Sequence, residues 1–129
     1  MKGIYCLIIN IKKDSKIKIG ALGRLKFKKG KYVYVGSAQN NLEKRIKRHL
    51  AKKKKLKWHI DYLLKNSNIK IEKAVYKKAP KSQECKIACL FSKFEQPINN
   101  FGSSDCNCKA HLFKLKSFKN LNNLKLKEI

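Results

Sequence analysis

Three residues in one part of the chain are of types that phosphate chemistry uses, and their spacing would bring them together. Tyr34 lies in a β-rich run that ends at Gly36, and Arg45 and His49 follow in a segment with a helical pattern. Residues four positions apart share one face of a helix, so Arg45 and His49 would face the same side. An arginine offers a planar, two-pronged donor to a phosphate, and a histidine exchanges protons near neutral pH. The pattern predicts a polar site where these three side chains meet.

A strand and the helix after it would position these residues. The run before Gly36 is rich in branched and aromatic residues, which favours a strand. Leu42, Ile46 and Leu50 recur at helical spacing, so we expect all three to face the core. The asparagines at 40 and 41 are both suitable N-caps for this helix. The remaining pattern predicts strands at residues 3–12, 16–19, 24–28, 69–76 and 111–115, and helices at 58–65 and 83–94.

The charge of the chain favours a polyanionic partner. It has 129 residues, which suits one domain, and its 33 basic and 8 acidic residues give a net charge of +25. A basic surface attracts phosphates and releases their counterions on binding, so nucleic acid is the expected partner. No apolar run is long enough to cross a membrane, and no cleavage site follows the first apolar run. We therefore expect a cytoplasmic protein that does not bind a membrane, although a lysine-rich composition accounts for part of the charge.

Arginine is scarce among these basic residues. The three arginines are Arg24, Arg45 and Arg48, and two of them lie in the helix after Gly36. Where lysine is the usual cation, an arginine suggests a need for bidentate phosphate recognition. We expect this role for Arg45, whereas Arg48 is as well explained as a solvated helix residue.

Several short segments together resemble the GIY-YIG endonuclease family. Gly3-Ile4-Tyr5 and Tyr34-Val35-Gly36, with Arg45 beyond them, resemble its signature, and residues 58–63, 84–85 and 101–106 resemble a compact archaeal and bacterial branch, sometimes joined to an endonuclease III-type glycosylase. The resemblance covers nearly the whole chain. It implies a single α+β domain over residues 1–117, with a small central antiparallel sheet flanked by helices and an enlarged connection between the two signature strands. Residues 118–129 would be a basic tail that frays.

The resemblance also implies roles for individual residues. Tyr5 or Tyr34 would orient or deprotonate a water molecule, Arg45 would bind the scissile phosphate, and Gly3 and Gly36 would be structural. A carboxylate would hold a divalent metal ion, Mg²⁺ or Mn²⁺. Glu84 lies in the helix where the family carries its metal-binding glutamate, and Glu95 is the alternative. His49 would bind phosphate or share the general-base role, or it would be a structural histidine.

Other residues are candidates for binding or support. Arg48, Lys44 and the lysine run at 52–55, which comprises Lys52, Lys53, Lys54 and Lys55, would contact nucleic acid. Tyr32 shares the strand face of Tyr34. His59, Asp61, Ser104 and Asp105 lie in segments that carry the resemblance, and Asp61 would orient His59 only on an irregular backbone. Trp58 would stack on a base or belong to the core.

The cysteines suggest a second kind of metal site. Cys106, Cys108 and His111 offer three zinc ligands, and Cys85 with Cys89 at helical spacing would complete a site. The spacing of Cys106 and Cys108 is unusual for zinc, and reduced, buried cysteines are the commoner case in a cytoplasmic protein. Zinc is therefore the less favoured interpretation.

From these features we expect a metal-dependent endonuclease that hydrolyses DNA phosphodiester bonds, either structure-specific or in repair, with a repair protein as a potential partner. The alternative is a non-catalytic nucleic-acid-binding module on the same scaffold. A zinc-stapled interaction domain is a third interpretation. A metal-binding carboxylate in the basic cleft would favour the enzyme.

Overall fold

The computed structural model describes residues 2–103 and 107–128. Within these residues the chain forms strands and α-helices in a mixed order. The strands are β1 Gly3–Ile11, β2 Ser15–Lys18, β3 Arg24–Phe27, β4 Gly30–Ala38, β5 Ile69–Lys77, β6 Gln96–Pro97, β7 Leu112–Lys114 and β8 Lys127–Glu128. The helices are α1 Leu42–Leu50, α2 His59–Leu64, α3 Ser82–Phe94 and α4 Lys119–Asn123.

Six of the strands form one antiparallel sheet in the order β6-β7-β4-β1-β5-β8. The two signature strands, β1 and β4, are neighbours at its centre, and Tyr5 lies directly opposite Gly36. The connection between them carries β2 and β3, which pair with each other in a second, two-stranded sheet. The predicted α+β fold with a central antiparallel sheet is confirmed, and so is the enlarged connection.

Strand β1 is covered on both faces, because its residues alternate between two separate hydrophobic clusters. Tyr5, Leu7 and Ile9 pack in the cluster that includes α1, α2 and the second sheet. Ile4 and Cys6 pack on the opposite face, in the cluster that includes α3 and α4. Side chains of a strand point alternately to its two sides, so helices on both faces explain its continuous apolar sequence. Tyr5 therefore faces α1, whereas α3 lies across the sheet.

Helix α1 has the predicted bounds, but its buried face differs from the prediction. Leu42 and Ile46 are buried, whereas Leu50 is 51% exposed and His49 is buried. An α-helix turns by about 100° per residue, so His49 lies within roughly 20° of Leu42, while Leu50 lies about 80° away. The predicted core position of Leu50 is therefore wrong, and a histidine occupies the buried face in its place.

Residues 118–128 are part of the folded structure. Leu121 in α4 is buried, and β8 pairs with β5, opposite Val75 and Tyr76. The predicted fraying does not describe this segment, because its leucines extend the second hydrophobic cluster and β8 covers an edge of the sheet. Among the described residues, no helix has the length and apolar character that a membrane crossing requires.

Candidate active site

A cleft of about 590 Å³ opens where β4 ends and α1 and α3 begin. Three of the four predicted catalytic residues, Tyr5, Tyr34 and Arg45, line it together with the predicted metal ligand Glu84. They come from both sides of the sheet, because Tyr5 and Arg45 belong to the α1 side and Glu84 to the first turn of α3. The cleft is thus at the end of the sheet, where residues from both faces can meet.

Gly36 allows Tyr5 to lie across the neighbouring strand. A Cβ atom built at Gly36 would overlap the Tyr5 ring and its hydroxyl. Gly3 is equally constrained, since a Cβ there would overlap the backbone oxygen of Lys77 and contact Leu42 at 3.1 Å. Both glycines of the signature therefore serve close packing, as predicted for structural residues.

Tyr5 is hydrogen-bonded to the buried histidine of α1. Its hydroxyl lies 2.7 Å from His49 Nε2, and both side chains are buried. Burial raises the pKa of Tyr5, and the positive charge of Arg45 opposes this increase. Burial also lowers the pKa of His49 to about 4, so the imidazole is neutral at pH 7. Nδ1 of His49 is buried without a hydrogen-bond partner among the described residues.

The two tyrosines of β4 differ in their surroundings. Tyr34 packs 6.5 Å from the Tyr5 ring and 6.1 Å from the His49 ring, centre to centre. Burial raises the pKa of Tyr34 well above its ordinary value. The Tyr32 hydroxyl instead donates to the Lys28 carbonyl oxygen at 2.8 Å, and burial raises its pKa to about 12. Tyr32 does not line the cleft, so its predicted contribution to the site is not supported.

Arg45 is held from two directions at the side of the cleft. Its Nη1 donates to the Ser37 carbonyl oxygen at 3.3 Å, and its guanidinium carbon lies 4.6 Å from the centre of the Trp58 ring. The helix that carries it is capped by Asn41, whose side chain accepts from the Lys44 amide at 3.0 Å. Arg45 remains half-buried, and its remaining donors can serve a ligand.

Among the described residues that line this cleft, Glu84 is the acidic one. The Ser37 hydroxyl donates to its Oε1 at 3.0 Å, and His111 Nδ1 lies 3.5 Å from its Oε2. Glu95, the alternative, is buried elsewhere and accepts hydrogen bonds from the Lys116 amide at 2.8 Å and from Asn120. The structure therefore brings Glu84, and not Glu95, beside Tyr5 and Arg45.

Comparison with known families gives a match that covers nearly the whole chain. The model of the domain of unknown function DUF123 matches residues 4–128. The chain belongs to this family. The matched range includes both signature strands, the cleft residues and the C-terminal segment with α4 and β8. Neither the comparison with curated proteins nor the comparison with solved structures found a match.

In this DUF123 domain, Arg48 forms an ion pair with the buried carboxylate of Asp61. Its two terminal nitrogens each donate to Asp61 at 3.0 Å, and Asp61 is fully buried. Asp61 also accepts from the backbone amides of Lys57 and Trp58 at 2.9 Å. Burial alone would raise the pKa of Asp61, but these hydrogen bonds, Arg48 first, lower it overall. Arg48 thus holds the start of α2, which is a structural role, and its predicted contact with nucleic acid stays a prediction.

His59 is not oriented by Asp61. Its Nδ1 accepts from the Gly102 amide at 2.8 Å, and its ring packs against Phe101. Burial lowers the pKa of His59, which is consistent with a neutral acceptor. His59 therefore anchors the loop near residue 102, outside the cleft lining. Ser104 and Asp105, which were also candidates, lie outside the described residues.

The predicted nucleic-acid-binding lysines in and after α1 divide into two groups. Lys44, Lys52, Lys53 and Lys55 are exposed, as a role in phosphate binding requires. Lys54 donates to the His49 and Arg48 carbonyl oxygens at 2.6 and 3.3 Å, so it caps the C-terminal end of α1. Burial lowers the pKa of Lys54.

Three further residues belong to the cleft although the sequence analysis assigned them no role in it. Ser37 contacts both Arg45 and Glu84, His111 lies beside Glu84, and Lys81 lines the opening next to α3. Trp58 is half-buried and packs against the first hydrophobic cluster, in agreement with the predicted core role, and the cations of Arg45, Arg48 and Lys57 lie beside its ring. Of Ser37, His111 and Lys81, only Ser37 could have been found from the sequence, because it directly follows Gly36 of the signature.

A second group of potential ligands adjoins the cleft. The ligand atoms of Cys85, Cys108 and His111 all lie within 4.8 Å of one another, so this group could hold a metal ion. The predicted contribution of Cys85 agrees with this arrangement. Cys89 is exposed and is not in the group, and Cys106 lies outside the described residues.

Proposed function

We propose that this domain is a metal-dependent endonuclease of the GIY-YIG type that hydrolyses DNA phosphodiester bonds. One observation carries the proposal: Tyr5, Arg45 and Glu84, which are far apart in the chain, line one cleft in a strongly basic protein. A phosphodiester reaction needs a positioned water, a cation for the developing phosphate charge and a metal ligand. The cleft offers one side chain for each need.

Arg45 would bind the scissile phosphate. Its guanidinium is oriented by the Ser37 carbonyl and by the Trp58 ring, so little conformational freedom is lost when a phosphate binds. A phosphate oxygen pair accepts two parallel hydrogen bonds from such a fork, which a lysine cannot provide. This supports Arg45 as the residue that holds the reacting group.

Tyr5 would orient the attacking water and pass a proton to His49. Because burial raises the pKa of Tyr5, the tyrosine is not ionised in advance at neutral pH. His49 Nε2, 2.7 Å away, accepts the hydroxyl proton when the imidazole proton is on Nδ1. The water proton then moves to the Tyr5 oxygen as the Tyr5 proton moves to His49. Tyr34 packs against both rings and keeps them in place.

Glu84 would hold the divalent metal ion. A single carboxylate fits Mg²⁺ or Mn²⁺, because Mg²⁺ is commonly bound by one or two carboxylates together with water and substrate phosphates. The Ser37 hydroxyl uses only one lone pair of Glu84 Oε1, so the carboxylate keeps capacity to ligate. When bound, the ion would stabilise negative charge on the phosphate and the leaving oxygen.

The exposed lysines near α1 favour a nucleic-acid substrate. Lys44, Lys52, Lys53 and Lys55 are exposed and would meet the phosphate backbone of a nucleic acid beside α1. Phosphate contacts give affinity and position without base information. DNA structure, as at a branch or a repair intermediate, is therefore the expected basis of substrate choice, with a repair protein as a potential partner.

The deciding experiment compares the natural chain with Glu84→Gln on plasmid and branched DNA, with Mg²⁺ or Mn²⁺. We expect Glu84→Gln to reduce cleavage by more than about 100-fold, since metal charge stabilisation contributes several kcal/mol, while DNA binding remains. Glu72→Gln is a matched control, because Glu72 is exposed and pairs with Lys31 away from the cleft.

Two results would contradict the proposal. Equal cleavage by the natural chain and Glu84→Gln would remove the assigned metal ligand. No cleavage by either protein, with salt-dependent DNA binding by both, would favour a non-catalytic binding module on this scaffold.

A further inference from the structure

The wall between two cavities carries a second cluster of metal-binding side chains. Cys85 and His111 line the candidate cleft, while Cys85 and Cys108 line a neighbouring cavity of about 740 Å³ along α3. Their three ligand atoms lie within 4.8 Å of one another. The group joins the first turn of α3 to the segment just before β7, two parts that are distant in the sequence.

We propose that Cys85, Cys108 and His111 bind a zinc ion. In a tetrahedral site with zinc–sulfur bonds of about 2.3 Å, ligand atoms are separated by roughly 3.8 Å, so a small inward movement of these side chains is enough. Thiolate and imidazole ligands favour zinc over Mg²⁺ or Mn²⁺. Two thiolates also balance the charge of the ion, which makes a partly buried site favourable.

The surroundings of His111 fit the role of a ligand. Its ring is buried, and its Nδ1 lies 3.2 Å from the Val35 carbonyl oxygen and 3.5 Å from Glu84 Oε2. Ligation through Nε2 leaves the Nδ1 proton to be donated to that carbonyl, as zinc-bound histidines usually do. These contacts set the orientation of the imidazole before the ion binds. His111 would thus connect the zinc site to β4 and to Glu84.

The zinc site and the proposed active-site metal are separate and chemically different. The zinc ion would cross-link α3 to the chain before β7, and it would stabilise the folded state because the ligands come together only there. Its assignment does not depend on nuclease activity. Zinc binding is measured on the natural chain without DNA, and cleavage by Glu84→Gln is measured separately, so failure of one proposal is distinguishable from failure of the other.

The test is zinc titration of the reduced, chelator-stripped full chain, followed by metal analysis, with Co²⁺ as a spectroscopic probe. We expect one equivalent of zinc, thiolate-to-cobalt charge-transfer absorption, and a higher Tm with zinc than with Mg²⁺. Cys85→Ser and Cys108→Ser should each weaken zinc binding by more than about 100-fold, since loss of an outer partner alone costs ~10–100-fold.

Cys89→Ser is the matched control, because Cys89 lies one turn after Cys85 on the same helix and is exposed. It should bind zinc as the natural chain does. Circular dichroism of each variant in chelator checks folding without metal. Unchanged zinc affinity in both Cys85→Ser and Cys108→Ser would overturn the proposal. So would failure of the reduced natural chain to bind zinc, or a peptide map of protein isolated without reductant that shows a Cys85–Cys108 disulfide.

Discussion

His49 lies beneath the sheet-end cleft with its Nε2 2.7 Å from the Tyr5 hydroxyl. This pair joins the first strand to the first helix, and it places a neutral imidazole behind a buried phenol. Burial keeps His49 neutral, so Nε2 has a lone pair for the Tyr5 hydroxyl, and the same burial makes protonation of the imidazole costly. Function and pH-dependent stability are therefore coupled at one residue.

The free energy of unfolding should decrease as the pH falls from about 6.5 to about 4. The pKa of His49 is about 4 in the folded protein, against about 6.5 in an unfolded chain. Between these values the unfolded chain binds a proton that folded His49 does not, so the contribution is complete above pH ~6.5 and is lost toward pH ~4. It amounts to on the order of 3 kcal/mol. Urea unfolding across this range measures it.

His49→Gln should flatten this pH dependence. His59→Gln is measured beside it, because burial also lowers the pKa of His59 and acts in the same direction. The pKa of Asp61 is lowered, so this carboxylate stabilises the fold at pH values above its ordinary pKa of about 4. Its contribution is lost only at lower pH, below the range in which His49 acts. An unchanged slope in His49→Gln would contradict the assignment to His49.

Arg48→Ala should destabilise the fold by about 3 kcal/mol, because it leaves the fully buried Asp61 carboxylate without its counter-charge. Asp61→Asn should cost a similar amount, and the double variant should cost less than the sum. Urea unfolding at pH 7 gives all three values. If Arg48→Ala instead leaves stability unchanged and weakens DNA binding with a smaller salt dependence, Arg48 is the phosphate contact that the sequence suggested.

Gly36→Ala should cost about 1–3 kcal/mol of stability, because the added Cβ overlaps the Tyr5 ring. It should also displace the Tyr5 hydroxyl from His49 and reduce DNA cleavage. In a Tyr5→Leu background the overlap with the ring is gone, so the same glycine substitution should cost less. Equal costs in both backgrounds would show that Gly36 serves the backbone and not the tyrosine. Thermal unfolding and cleavage assays on the four proteins decide this.

Local patterns predicted much of the fold. The apolar alternation and the turn residues indicated the long strands, and α1 has the expected bounds. These features depend on neighbours along the chain, which is where sequence patterns carry information. The exception within α1 is Leu50: a leucine at the last position of a short helix can satisfy a periodic pattern and still point past the edge of the core.

The partners of charged residues depended on contacts across the chain. Arg45 and Arg48 lie one turn apart on one helix and look alike in sequence. Arg48 nevertheless pairs with Asp61, while Arg45 lines the cleft. Glu84 and Glu95 lie at opposite ends of α3, and only the N-terminal one reaches the cleft. Such assignments follow from which surfaces pack together, and spacing along the chain does not contain that information.

The sequence by itself determined the basic character of the protein, its longer strands and helices and most of the residues from which a site could be formed. Only the tertiary structure decided which of those residues meet. Tyr5 and Arg45 come from one side of the sheet and Glu84 from the other, and they converge because β4 ends between α1 and α3. Long-range packing sets that meeting point, since it depends on how whole faces of the sheet are covered and not on any single segment.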